Sequence, residues 1–157
     1  MPYPYDQLTN FRELLQQTSL FDALTHISET LKSTLSAERA SVLIYERDQK
    51  LLWTVVHEEK EKIVVPYDQG IVGETLRTGK VQIENEPYDN VNFFAEVDMQ
   101  LEFYTQSILA IPIFNTNEKI IGVIELLNKP GGFTKEDREY ITHFANSISG
   151  YIEENAL

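Results

Sequence analysis

Apolar residues recur along this chain in helical and in alternating rhythms, and each rhythm predicts an element. Between Thr9 and Gln17, Phe11, Leu14 and Leu15 fall at helical spacing. A second helix follows Ser19, with Phe21, Leu24, Ile27 or Ser28, Leu31 and Leu35 on one stripe. Ser19 and Asp22, three residues apart, resemble a capping box at its start. Ala40–Glu46 (ASVLIYE), Leu51–His57 (LLWTVVH) and Lys62–Val65 read as strands; an ERDQK turn joins the first two and Pro66 ends the third. Gly70 and Gly73 open a short helix that closes at Gly79, and Val81–Glu84 is a fourth strand.

The strongest pattern runs from Gln106 to Asp137. Ser107–Phe114 is nearly all apolar, as a central strand would be, and Lys119–Leu127 repeats the pattern after an NTNE hairpin tip. One carboxylate, Glu125, interrupts that second run. Burying it alone would be costly, so it must face water, a partner or a ligand. Pro130-Gly131-Gly132 then turns the chain into a last helix, Thr134–Glu154, with Ile141, Ala145, Ile148 and Ile152 on one face and Phe144 and Tyr151 beside them. Thr134 and Asp137 have the spacing to cap its start.

Asn85–Gln106 has no period. It holds Pro87, Tyr88, Phe93, Phe94, Phe103 and Tyr104 among five acidic residues, Glu86, Asp89, Glu96, Asp98 and Glu102. Irregular segments of such length inside a domain are commonly lids or binding loops. The expectation is a lid closing over a flat ligand; the plainer alternative is a loop whose aromatics pack on the sheet. The order of elements gives an α+β fold with six antiparallel strands. It is expected to form one domain over 1–157, with residues 1–18 an N-terminal helix and linker and 19–154 the core.

Composition narrows the function. A 42% hydrophobic, 11% aromatic chain of 157 residues is globular in character. Its 13 basic and 25 acidic residues leave a formal charge of −12, which disfavours nucleic acid and anionic membranes as partners. With no cysteine, disulfides, thiolate metal sites and thiol catalysis are excluded. No apolar run approaches the roughly eighteen residues of a membrane span, and the expected location is the cytoplasm. His26, His57 and His143 are scattered, and no nucleophile elbow, kinase or nucleotide-hydrolysing motif is present. A non-enzymatic role is expected.

The element order, with DQGIVGETLRTG, IPIFNTNEKIIGVIELLNK and FTKED, resembles a GAF domain over roughly Leu20 to Ile152. It is most similar to the regulatory GAF domains of cyclic-nucleotide phosphodiesterases and their bacterial cyclase relatives. Asn128, Lys129, Phe133 and Asp137 match the family's Asn-Lys-Phe-Asp-Glu signature, whose last position is Arg138 here. The resemblance implies terminal helices packed on one face of the sheet, a ligand pocket under the lid on the other, and a structural Lys129–Asp137 clamp beside it. Carried over, the ligand contacts fall on Ser41, His57, Phe94, Asp98, Thr105 and Glu125, with the backbone N–H groups of Ile71 and Val72 holding a phosphate. His57 stands where cyclic-GMP binders often carry a carboxylate, and Leu101 where a hydroxyl is expected.

The implied ligand is cyclic AMP or cyclic GMP, or another small molecule; no other cofactor and no metal are expected, and the lack of cysteine excludes a covalent bilin. The implied role is a sensory module that passes ligand occupancy through its terminal helices to an output domain of a parent protein, as a homodimer. The apolar stripe of the last helix still runs at Leu157, in keeping with such a continuation. The alternative is a ligand-free dimerisation scaffold.

Overall fold

A computed structural model of the chain describes residues 3–56, 61–86 and 105–157. After a 3-10 turn at Tyr5–Gln7 come helices α1 (Leu8–Leu15) and α2 (Leu20–Leu35), then strands β1 (Arg39–Glu46), β2 (Leu51–Val56) and β3 (Glu61–Val65). Helix α3 (Gly70–Thr78), strands β4 (Gln82–Glu84), β5 (Ile108–Phe114) and β6 (Ile120–Leu127), and helix α4 (Lys135–Ala156) complete the described elements. The expected elements are all there, with ends displaced by a residue or two. The opening 3-10 turn is an addition that the two prolines had hidden.

The strands form one antiparallel sheet in the order β3-β2-β1-β6-β5-β4. The apolar runs β5 and β6 take inner positions, and β6 pairs with both β1 and β5. Alternation divides the sheet residues between two faces. Val42, Ile44, Trp53, Leu109, Ile111, Ile124 and Leu126 join the helical residues of α1, α2 and α4 in the larger core. Leu43, Leu52, Ile108, Ala110 and Val123 point the other way and pack with Ile71, Val72 and Leu76 of α3.

The helix ends follow the sequence closely. Thr134 Oγ1 accepts from the Asp137 N–H at 3.2 Å, and Asp137 accepts from the Thr134 N–H at 2.8 Å, a complete capping box. At α2 the Ser19 hydroxyl accepts from the Asp22 N–H at 3.4 Å. Leu24, Ile27, Leu31 and Leu35 are buried as expected, but Phe21 is 41% exposed. Ala23 is also buried, so the contact stripe lies to its side and leaves Phe21 past the edge. The Tyr151 hydroxyl donates to the Thr18 carbonyl at 2.9 Å, fastening α4 to the α1–α2 junction.

Candidate functional site

Four of the eight positions that the sequence suggested as ligand contacts, Ser41, Ile71, Val72 and Glu125, lie on the α3 side of the sheet. Ser41 of β1 and Glu125 of β6 are direct cross-strand partners, and Ala110 of β5 stands opposite Glu125 on its other flank. Directly opposed residues share a face, with Cβ atoms about 5 Å apart. Glu125 therefore rises between two small side chains on a floor that Leu43, Ile108 and Val123 make apolar. It is half-buried. A carboxylate so placed accepts hydrogen bonds.

Helix α3 overlies this floor, packing on β5 and β6 with Ile71 buried and Val72 and Leu76 half-buried. Gly73 is the first of its amides with a turn partner, the Gln69 carbonyl at 3.0 Å. The N–H groups of Ile71 and Val72 thus lie in the first turn, where helices leave donors open and the dipole favours an anion. Gly73 is needed there for space: a Cβ would stand 2.7 Å from the backbone carbonyl carbon of Asp68. Residue 73 can carry no side chain while the Tyr67–Asp68 turn lies against α3.

Thr105 is buried where the chain leads into β5. Ser41, Ile71, Val72, Thr105 and Glu125 are the suggested contacts within the described residues; His57, Phe94 and Asp98, with Leu101 and the expected lid, lie outside them. Among the described residues no group of three or more metal-ligating side chains exists, and no helix is long and apolar enough to cross a membrane.

The signature residues build a compact junction next to this floor. Asn128 has φ 62°, a left-handed conformation that asparagine tolerates better than most residues. Its side-chain oxygen accepts from the Gln106 and Ser107 N–H groups at 2.5 and 3.2 Å, and its amide donates to Glu38 at 3.0 Å. Lys129 Nζ reaches both Asp137 oxygens at 2.6 Å, and its own N–H donates to Ser107 Oγ at 3.1 Å. Asp137 is wholly buried, whereas the Lys129 side chain keeps 20% exposure. Burial alone would raise the Asp137 pKa; hydrogen bonds from Lys129, Tyr3 and the Thr134 N–H outweigh it and hold the carboxyl below its ordinary value. The Lys129–Asp137 clamp expected from the signature is formed, and Phe133 sits in the main core.

Sequence reasoning missed four members of this junction. Asn85 bonds both backbone polar groups of Phe133, Glu38 holds Asn128, Ser107 takes up the Lys129 amide, and the Tyr3 hydroxyl donates to Asp137. These contacts span 22 to 134 positions of sequence, and no local pattern announces them.

This fold agrees with comparisons to known proteins. A family model for the GAF domain matches residues 17–153, and the chain belongs to that family of regulatory, sensory modules. The cGMP-specific 3',5'-cyclic phosphodiesterase of Drosophila melanogaster is 31% identical over 95 residues, 60% of this chain and 8% of that protein. The chain thus spans less than a tenth of such relatives. The GAF domain of an Acinetobacter phosphoenolpyruvate-protein phosphotransferase superposes with a TM-score of 0.78 at 16% identity, covering 95% of this chain and 92% of that one. Free methionine-R-sulfoxide reductase from Neisseria meningitidis, solved with its substrate, gives 0.73 at 14% identity, covering 97% and 90%. At these identities the structural matches establish the fold alone.

Proposed function

We propose that this domain senses a small molecule held on the α3 face of the sheet, with a cyclic nucleotide as the leading candidate. The observation that carries the reading is the Ser41–Glu125 pair, set in register on the sheet face whose apolar residues pack with Ile71 and Val72 of α3. The parts suit the two ends of such a ligand. The Ile71 and Val72 amides would take the phosphate, a mode that needs no arginine. Glu125, an acceptor, would take N–H donors of the base, with Ser41 and Thr105 adding hydroxyls. Guanine offers a carboxylate two adjacent N–H donors where adenine offers one amino group, so the chemistry favours cyclic GMP. His57, Phe94 and Asp98 remain contacts suggested by family resemblance. The phosphodiesterase relatives support the same class of ligand.

Occupancy would pass through the Asn128–Asp137 junction to α4, and from there to an output domain and to a second copy of the chain. Isothermal titration with cyclic GMP and cyclic AMP tests the nucleotide. Binding of cyclic GMP in preference to cyclic AMP is expected; no heat with either at high micromolar concentration overturns the nucleotide reading. One observation favours the ligand-free scaffold instead: Ile71, Val72 and Leu76 already pack on the floor from above. A structure grown with cyclic GMP in which these side chains stay on the sheet and no nucleotide is bound would support the scaffold.

A further inference from the structure

The Lys129–Asp137 clamp carries an addition from the opposite end of the chain. The Tyr3 hydroxyl donates to Asp137 Oδ1, and Lys129 Nζ donates to the same hydroxyl at 3.3 Å. The Tyr3 ring stacks on Tyr140 with centroids 4.6 Å apart and planes at 21°. Tyr5 meets Tyr140 edge-on at 5.2 Å and His143 edge-on at 5.2 Å. Asp137, Tyr140 and His143 recur every third residue, so Tyr3 and Tyr5 grip one strip along the first three turns of α4. Between them Pro4 starts the 3-10 turn, its carbonyl accepting from the Gln7 N–H at 3.1 Å.

This strap is held at few points. From Tyr3 to Leu14 no residue is buried; Leu15 is the first. Phe11 of α1 touches Phe144, with ring centroids 5.2 Å apart, and an open cleft of about 360 Å³ lined by Pro4, Gln7, Leu8 and Tyr140 lies beside that contact. A segment with no buried residue, bordered by an open cleft, opens at far lower free energy than the core. Opening it would leave the sheet and both larger helices intact. It would, however, strip a donor from Asp137 and bare the Tyr140 ring at the point where α4 is capped.

We propose that Tyr3–Gln7 is a releasable latch on the Lys129–Asp137 clamp, and that docking or release of this strap sets how firmly the first turn of α4 is held. The latch lies on the junction that also binds Asn85 and Gln106, so it is placed to exchange bias with the α3 face. Coupling of this kind is reciprocal: what the strap gives the clamp, the clamp gives the strap. The proposal does not depend on any ligand, and it stands or falls apart from the nucleotide reading.

Hydrogen–deuterium exchange on the full chain tests it. Tyr3→Phe keeps the ring and removes the hydroxyl; amides from Lys129 to Tyr140 are expected to exchange roughly tenfold faster, the scale of one hydrogen bond to a charged group. Tyr3→Ala, which also loses the stack, is expected to exceed that, while β5 and β6 stay protected. The reciprocal arm reads the Gln7 amide in Lys129→Met, with acceleration of similar size expected. Tyr140→Leu, which leaves the clamp in place, provides the same readout should Lys129→Met not fold. Unchanged exchange from Lys129 to Tyr140 in Tyr3→Ala overturns the latch. So does a Gln7 amide that is equally protected in wild type and in the clamp or Tyr140 variant.

Discussion

Asn85 and Phe133, 48 positions apart, are joined by a two-way hydrogen-bonded bridge: the Phe133 N–H donates to Asn85 Oδ1 at 3.0 Å, and the Asn85 amide donates to the Phe133 carbonyl at 3.3 Å. Five positions back, Asn128 makes the matching connection to Gln106 and Ser107. One turn, Asn128 to Phe133, therefore holds the chain on both sides of the long segment between β4 and β5. Gly132, at φ 85°, completes the fit, since a Cβ there would stand 2.8 Å from Asn85 Oδ1.

Asn85→Ala leaves the Phe133 backbone groups in a partly buried place without their partners. Such losses cost about 1–3 kcal/mol. Urea unfolding is expected to show that loss with little change in slope. Asn85→Asp keeps the acceptor for the Phe133 N–H, gives up the donor to its carbonyl, and is expected to cost less than alanine.

Lys129→Met removes the cation from a wholly buried carboxylate. One-sided removal from a buried ion pair costs about 3–5 kcal/mol. The lower end is expected here, because Tyr3 and the Thr134 N–H still donate to Asp137 and Lys129 itself is partly exposed. The double variant Lys129→Met/Asp137→Asn, which leaves no unpaired charge, is expected to be more stable than Lys129→Met alone. Denaturant midpoints of the variants check this ordering.

The clamp was legible in the sequence where its parts are local. Thr134 and Asp137 have capping spacing, and Lys129 ends a strand while Asp137 opens a helix. The strands were legible as apolar runs, and Glu125 stood out because it breaks one. Glu38, Asn85 and Tyr3 were not, since each is an ordinary surface-type residue until the fold delivers it across 90, 48 or 134 positions. Phe21 shows the limit on a helix: spacing marks a stripe but not how far each edge is covered.

The pH dependence follows from the same group. The folded Asp137 carboxyl is held below its ordinary value, so the unfolded chain binds the proton more readily. Its contribution is present above the unfolded value of about 3.9 and is lost as pH falls through the folded value. Wild type is expected to lose more stability between about pH 5 and pH 2 than Asp137→Asn does. At the alkaline end, burial and the neighbouring Asp137 raise the Tyr3 hydroxyl, and burial with Tyr5 and Tyr3 pushes Tyr140 up to about 12. Raised values mean stability that is intact below about pH 10 and declines above it as the unfolded chain ionises first. Tyr3→Phe is expected to flatten that alkaline decline. Thermal midpoints across the range read both limbs.

Glu125 separates the sensory reading from the scaffold. As part of the sheet surface between Ser41 and Ala110 and not of a ligand site, its replacement by Gln would leave nucleotide affinity unchanged. As the acceptor for a purine edge, Glu125→Gln exchanges a charged acceptor for an amide whose nitrogen confronts the base donors. Loss of a charge-assisted hydrogen bond of about 1.5–3 kcal/mol corresponds to binding weaker by roughly tenfold or more. Titration of wild type and Glu125→Gln with cyclic GMP, beside urea unfolding of both, reads the two quantities separately. Weaker binding at unchanged stability assigns Glu125 to the ligand. Equal affinity for a nucleotide that does bind moves the base-reading contact away from β6, and the Ser41–Glu125 pair would then be part of the sheet surface alone.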